Sequence, residues 1–141
     1  MFTSPHSGAF ASRAPINAYL RTGLETRAVD ADPHQLVAML FDGLFESLAQ
    51  ARGAIRSGDA AAKGRAIGRA VRIVDEGLRG ALDLQSGALA HNLHDLYAYV
   101  TLRLTRANLK GDEAALDECA SLLQPLREAW TAIRPSALAP A

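Results

Sequence analysis

The fold is decided by a helix start with clear signals, found in the stretch Asp32-Pro33-His34-Gln35-Leu36-Val37-Ala38-Met39-Leu40-Phe41-Asp42-Gly43. Asp32 can cap the first free backbone N–H groups, Pro33 suits the first helical position, and Gln35 can complete a capping box. Apolar residues then recur on two adjacent faces of the helix: Leu36, Leu40, Leu44 and Leu48, and beside them Val37, Phe41 and Phe45. Because so wide a stripe must be buried against more than one neighbour, it predicts a bundle of helices.

Composition supports a helical domain of ordinary size. The chain has 141 residues, of which 49% are hydrophobic and only 6% aromatic, and Leu and Ala dominate, a mix that favours helix over sheet. Lys plus Arg and Asp plus Glu number 15 each, so the formal net charge is +0. A neutral chain has no long-range attraction to nucleic acid or to an anionic membrane, and we expect neither as a partner.

Cysteine use and hydropathy indicate the compartment. Cys119 is the single cysteine, so an intramolecular disulfide is impossible, which fits a reducing cytosol. The N-terminal residues lack a charged start followed by an apolar run, and no apolar run approaches the roughly 20 residues of a membrane span. We therefore expect a soluble, cytoplasmic protein without membrane insertion.

Three regions are predicted along the chain. Residues 1–14 are rich in Ser, Gly, Ala and Pro without a period, which predicts a disordered N-terminal tail. Residues 15–134 form the bundle domain, which begins with a short amphipathic arm carrying Ile16, Tyr19 and Leu20. Residues 135–141 are predicted to be a C-terminal tail.

Four helical patterns are predicted within the domain, over about 33–56, 60–85, 88–108 and 113–134. Short breaks separate them, at Ser57-Gly58, Ser86-Gly87 and Lys110-Gly111-Asp112. Short links favour antiparallel neighbours, so the predicted fold is all-α, an antiparallel up-down four-helix bundle with a short N-terminal helical arm. The apolar stripes of the third and fourth helices each include a residue at a helix end, Leu89 and Ile133, and both are predicted to be core residues. Pro125 is expected to bend the fourth helix.

Catalytic and metal-binding patterns are weak. His91, His94 and Asp95 could share one helix face and ligate a metal, although no second cluster supplies further ligands and exposed polar positions are the simpler interpretation. Cys119 lies among apolar residues, which indicates a buried structural thiol rather than a nucleophile. We predict no enzyme activity, no catalytic residue, no metal and no cofactor, with a metalloenzyme at His91 and His94 as the alternative.

Arginines recur at helical spacing along the second pattern, at Arg65, Arg69, Arg72 and Arg79. Such a row could contact phosphates, as in a nucleic-acid-binding protein, or be a solvated face with local partners such as Asp75 and Glu76. The neutral net charge and the scarcity of interleaved aromatics favour the solvated face.

The helices carry more apolar positions than one core requires, because a bundle core uses about three positions in seven. The second pattern has a row of small residues, Ala66, Ala70, Gly77 and Ala81, and the third has apolar residues off its main stripe, Tyr99, Leu102 and Leu109. The small-residue row fits either a neighbouring helix of the same bundle or a partner's helix. The surplus surface could cover the N-terminal arm, form a weak homodimer or bind another protein.

Four ordered motifs resemble the flagellar export chaperone family FliS. The first is the opening stretch, similar to the family's Ser-Pro-x-x-Leu-(Ile/Val)-x-Met-Leu-Tyr-Asp-Gly, with Asp32 in place of Ser and Phe41 in place of Tyr. The others are Ala70-x-x-Ile73-Val74-x-Glu76-x-Leu78 with Leu82-Asp83, Asn92-Leu93-x-x-Leu96-Tyr97-x-Tyr99-Val100-x-x-Arg103-Leu104-x-x-Ala107-Asn108, and Leu126-Arg127-x-Ala129-Trp130. Tyr19 resembles the tyrosine of the family's N-terminal arm.

The resemblance implies a bundle that binds the disordered C-terminal segment of flagellin in apolar grooves, prevents premature polymerisation and holds the subunit for type III export. Other flagellar export or regulatory proteins are further expected partners, and the chain is expected to be a monomer or a weak homodimer. The expected flagellin-binding residues comprise the arm, which we expect to lie over a groove in the free protein, apolar groove contacts and polar contacts: Ile16, Tyr19 and Leu20; Phe41, Tyr97, Tyr99 and Leu102; Asn92, Arg103 and Asn108.

Overall fold

The computed structural model describes residues 32–133, and every regular element in that range is helical. The elements are α1 (Pro33–Ser57), α2 (Ala60–Arg72), a π-helical continuation of α2 (Ile73–Arg79), a 3₁₀ turn (Leu84–Ser86), α3 (Ala88–Lys110) and α4 (Glu113–Ala132). The predicted all-α fold is confirmed for this range. The predicted tails and the arm residues Ile16, Tyr19 and Leu20 lie outside the described residues.

Local sequence signals set the helix starts. The Asp32 carboxylate accepts a hydrogen bond from the Gln35 backbone N–H at 2.7 Å, and the Gln35 side chain accepts one from the Asp32 N–H at 3.2 Å, which is the predicted capping box. The Asp59 and Asp112 carboxylates cap α2 and α4 by accepting from the backbone N–H groups of Ala62 and Ala115, without the reciprocal side-chain bond. Gly58 has φ of 73°, a left-handed conformation that costs glycine little and ends α1 sharply.

Each helix packs beside its neighbours in sequence, and α4 closes the bundle against α1. Ion pairs show the direction of α4: Arg56 pairs with Glu113, Arg52 with Asp117, and Asp42 with Arg127. Residue numbers fall along α1 as they rise along α4, so the two helices are antiparallel. The short links at 58–59 and 111–112 complete the up-down arrangement.

The core is continuous and aliphatic, built from all four helices. The largest fully buried side chains include Leu40, Leu44, Leu48, Ile67, Ile73, Leu78, Leu104, Leu116 and Leu123. Two predicted core members are wrong: Leu89 is 69% exposed and Ile133 is 37% exposed. Both lie at helix ends, where periodicity gives the side of a helix but not how far its neighbours extend along it.

The second helix differs from its prediction. It was expected to reach Gln85, but the helical hydrogen-bond pattern widens to π at Ile73 and stops at Arg79. Gly80 follows, and a Cβ placed there would lie 2.3 Å from the Glu76 carbonyl oxygen. Only glycine permits this close approach of backbone to backbone, so the position of Gly80 explains the early end.

The row of small residues on α2 packs inside the chain. Ala66, Ala70, Gly77 and Ala81 are all buried. A Cβ at Gly77 would lie 3.0 Å from a methyl carbon of Leu40, so α1 approaches this point closely. The row is therefore a bundle contact, and the alternative of a partner's helix in it is wrong.

Candidate binding surface

One exposed seam of α3 carries three of the six large apolar side chains that are exposed in the described range. Tyr99 is 41% exposed, Leu102 is 65% exposed and Leu109 is 78% exposed. With exposed polar residues they follow one another at intervals of three or four, which places them on one side of a helix. We call this seam the α3 face, and its members are His91, Asp95, Tyr99, Leu102, Arg106 and Leu109.

The ring of Tyr99 is held in place from α4. Its hydroxyl donates to the Glu118 carboxylate at 2.6 Å, and the other oxygen of that carboxylate accepts from Arg103 Nε at 2.7 Å. A side chain already fixed in position loses less rotamer entropy when a partner covers it. The α3 face is therefore pre-organised at its centre.

This network shifts the titration of its members. The hydrogen bond from Tyr99, followed by that from Arg103, lowers the pKa of the Glu118 carboxyl. The hydrogen bond to Glu118 in turn raises the pKa of the Tyr99 hydroxyl and of the Arg103 guanidinium. At neutral pH Glu118 is thus an anion that holds both donors.

The structure brings four of the predicted flagellin-binding residues together on or beside the α3 face. Tyr99 and Leu102 lie on the face, Asn92 is exposed near its start, and the half-buried Arg103 flanks Tyr99. Asn108 is nine residues beyond Tyr99, which is half a turn further round a helix of 3.6 residues per turn. It therefore lies on the opposite side of α3.

The two remaining predicted contacts are core residues. Phe41 is 3% exposed and Tyr97 is 5% exposed, and both pack in the main hydrophobic cluster. Burial raises the pKa of the Tyr97 hydroxyl strongly. Neither ring offers surface to a partner in this conformation.

The other candidate sites from the sequence do not assemble. No group of three or more His, Cys, Asp or Glu side chains within residues 32–133 is arranged to hold a metal ion, and this includes His91, His94 and Asp95. Cys119 is fully buried, and its burial raises the pKa of the thiol to about 11, so at neutral pH it is a protonated core residue.

The arginine row of α2 is partly neutralised. Arg69 pairs with Glu46 of α1 at 3.0 Å, and Arg79 pairs with Asp75 within its own π-helical segment. Two of the four guanidinium groups are thus held by carboxylates, which favours the solvated-face interpretation over a phosphate-contacting stripe. Within the described range no helix combines the length and apolar character needed to cross a bilayer.

Sequence reasoning missed two contacts between distant parts of the chain. Glu118, which holds Tyr99, is separated from it by 19 positions and has no motif of its own. His34 and Trp130 stack with ring centroids 5.0 Å apart, His34 Nε2 donates to the Trp130 carbonyl, and Trp130 Nε1 donates to the His34 carbonyl. This reciprocal contact ties the start of α1 to the end of α4.

The fold and the surface define a class: an antiparallel four-helix bundle with a pre-organised apolar face on one helix. Residues 15–137 match the family model described as "Flagellar protein FliS". The chain belongs to the FliS family.

Named relatives support this membership over most of their length. The chain is 43% identical over 123 residues to a protein of Salmonella typhimurium named "Flagellar secretion chaperone FliS", covering 86% of this chain and 91% of the relative. It is 42% identical over 119 residues to "Flagellar secretion chaperone FliSB" of Pseudomonas aeruginosa, covering 84% and 94%. A Bacillus subtilis protein with the same name, "Flagellar secretion chaperone FliS", is 29% identical over 116 residues.

Proposed function

We propose that this chain is a cytoplasmic flagellar export chaperone, not an enzyme, that binds the disordered C-terminal segment of flagellin. Bound in this way, flagellin is kept from polymerising prematurely and is held ready for type III secretion and filament assembly. The observation that supports this most is the exposed, pre-organised apolar α3 face on a member of the FliS family.

The chemistry of the face suits an amphipathic client segment. Tyr99 and Leu102 supply apolar contact at the centre, and Asn92 and Arg103 supply polar groups at the rim, which is the usual anatomy of a protein interface. We propose that Phe41 and Tyr97 support this region from the core rather than contact the client. The arm residues Ile16, Tyr19 and Leu20 and the opposite-facing Asn108 remain predicted contacts for other parts of a client that wraps the bundle.

A disordered client suits reversible holding. Ordering the client on binding costs conformational entropy, so the net affinity is modest for the area covered. A chaperone that must release its client at the export machinery needs this combination of large coverage and moderate affinity.

Complex formation tests the proposal. We expect size-exclusion chromatography with light scattering to give a complex with full-length cognate flagellin and none with flagellin that lacks its C-terminal segment. Tyr99→Ala combined with Leu102→Ala should weaken the complex by roughly tenfold or more, because two apolar contacts are lost. Leu84→Ala is the matched control, since Leu84 is 39% exposed but lies outside the α3 face. Unchanged affinity of the folded double variant would show that the face is not the binding surface.

A further inference from the structure

A second surface of the bundle is basic and lies away from the α3 face. Between α1 and α2 there is a surface depression of about 310 Å³, and it is lined by Gln50, Ala62, Arg65, Ala66 and Arg69. The two alanines have short side chains and leave the depression open, while the other three residues supply one amide and two guanidinium groups. We call this depression, together with Arg72 about one turn further along α2, the α2 basic patch.

The three arginines of the patch share one side of α2. Arg65, Arg69 and Arg72 follow one another at intervals of four and three residues and span about 10 Å along the helix. Arg69 is fixed, because its Nη1 donates to the Glu46 carboxylate of α1 at 3.0 Å and its side chain is only 20% exposed. A Cβ placed on Gly68 would lie 3.6 Å from Arg72 Nη1, so the Arg72 guanidinium lies back toward the depression.

The patch carries more positive charge than its neighbours balance. Arg65 and Arg72 are exposed and form no ion pair within residues 32–133, whereas Arg69 is paired with Glu46. Three guanidinium groups and one carboxylate leave a local charge of about +2 within about 10 Å, on a chain whose net charge is +0. Because like charges one helical turn apart repel each other, an acidic group bound between them is favourable.

We propose that the α2 basic patch binds a short acidic segment of a second protein partner. In this complex carboxylates of the segment pair with Arg65 and Arg72, and the Gln50 amide exchanges hydrogen bonds with its backbone. A carboxylate matches the planar guanidinium fork through two parallel hydrogen bonds, and a carboxamide can both donate and accept. Arg69 stays bonded to Glu46 and contributes its remaining N–H groups in a fixed position.

Nucleic acid suits the patch less well than a peptide does. Proteins hold a single strand largely by stacking its bases on aromatic rings, and no aromatic residue lines the depression. Glu46, bonded to Arg69, has a side chain that is 60% exposed, so an unbroken row of phosphates would meet its negative charge. A peptide can place an uncharged residue opposite Glu46 and its carboxylates on either side. The patch therefore favours an acidic peptide over a phosphate backbone.

The α2 basic patch and the α3 face are separate surfaces. Both α1 and α3 pack against α2 and against α4, so α1 and α3 lie diagonally across the bundle. The patch lies where α2 meets α1, since Gln50 and Glu46 belong to α1. A chain that already holds a client on the α3 face can thus bind the acidic partner as well, and this one consequence rests on the proposed function.

Fluorescence anisotropy of a short labelled poly-L-glutamate peptide, titrated with the full-length chain without client, tests the patch. We expect saturable binding at low salt that weakens as salt is added, because exposed ion pairs are screened. Arg65→Ala combined with Arg72→Ala should raise the dissociation constant by about fivefold or more, since two ion pairs are lost. Arg106→Ala with Lys110→Ala is the matched control, which removes two exposed positive charges from α3 and should raise it less than about twofold.

Four outcomes would overturn the assignment of the patch. They are absence of saturable binding at low salt, equal weakening by the two double variants, tighter binding of a single-stranded oligonucleotide of the same charge, and displacement of the peptide by inorganic phosphate at an equal concentration of charge. The last of these would reduce the patch to a site for small anions. Circular dichroism should show that both double variants stay folded, because all four substituted positions are exposed.

A second arm repeats the titration with the chain saturated by the isolated flagellin C-terminal segment. The dissociation constant for poly-L-glutamate should stay within about threefold of its value without the segment, as expected for independent sites. The Arg65→Ala and Arg72→Ala double variant should bind the flagellin segment as the original chain does. Displacement of one ligand by the other would contradict the separation of the two surfaces. Since the first arm contains no flagellin, failure of the patch and failure of the proposed function are separately visible.

Discussion

At the scale of single residues, Ser47 is the least expected member of the core. It is fully buried in α1, and its hydroxyl has no hydrogen-bond partner within the described range. A buried hydroxyl without a partner has lost its water contacts without replacement, which costs about 1–3 kcal/mol. The position therefore tests how this core tolerates a polar group.

Replacing Ser47 by alanine should stabilise the protein by about 1 kcal/mol, because the unpaired hydroxyl is removed and alanine is the better helix former. Urea unfolding followed by circular dichroism measures the change. Ser121→Ala on the exposed surface of α4 is the control, since it changes helix propensity alone. A loss of stability in Ser47→Ala beyond that of the control would show that the hydroxyl makes a useful contact.

Replacing each of two exposed glycines by alanine should change the stability of the protein in opposite directions. Gly80→Ala should destabilise the protein by more than about 2 kcal/mol, because its Cβ would lie 2.3 Å from the Glu76 carbonyl oxygen and the backbone must move. Gly53→Ala in α1 should stabilise by about 0.5–1 kcal/mol, because nothing lies within 4 Å of its Cβ and alanine favours helix. Thermal unfolding of both variants measures the contrast, and equal effects would contradict the close approach at Gly80.

At the scale of elements, α3 and α4 are joined by the carboxylate of Glu118. Because Tyr99 and Arg103 lower its pKa in the folded state, Glu118 binds its proton less readily when folded than when unfolded. Its contribution to stability is therefore present above the ordinary carboxyl pKa of 4.5 and is lost as the pH falls through the lower folded-state value. The hydrogen bonds of Glu118 therefore stabilise the protein at neutral pH, and this stabilisation is lost in acid.

Glu118→Gln should accordingly be less stable than the original chain at pH 7, and the difference should shrink toward zero as the pH falls below 4.5. Urea unfolding at a series of pH values from 7 to 3 measures it. Glu128→Gln removes a carboxylate from the same helix whose hydrogen-bond partner is the neutral amide of Gln124, and should show little such dependence. A difference for Glu118→Gln that grows in acid would reverse the assigned direction.

The elements also show what a sequence can and cannot predict. Caps such as Asp32 with Gln35 were predictable because the partners are three residues apart and the geometry is local. The π-helical end of α2 was not, because it depends on the approach of Gly80 to a carbonyl, which the period of the apolar stripe does not record. The hydrogen bond from Tyr99 to Glu118 was not predictable either, because it joins two helices. The periodicity of each helix does not indicate which of its residues meet those of a neighbouring helix.

At the scale of the whole molecule, the bundle is a rigid support for one exposed helix face. The core of α1, α2 and α4 buries the inner side of α3, while Tyr99, Leu102 and Leu109 remain outside. Exposed apolar side chains on a protein surface favour association with another protein. The proposed function rests on this surface, and the sequence had indicated it as surplus apolar positions on the third helix.

Seeded flagellin polymerisation, followed by light scattering, tests most directly the proposed activity of the chain, which is to hold flagellin back from assembly. One equivalent of the chain added to cognate flagellin monomers with filament seeds should suppress growth. The Tyr99→Ala and Leu102→Ala double variant should suppress it far less, whereas the Leu84→Ala control should act like the original chain. Undiminished growth in the presence of excess folded chain would contradict the account.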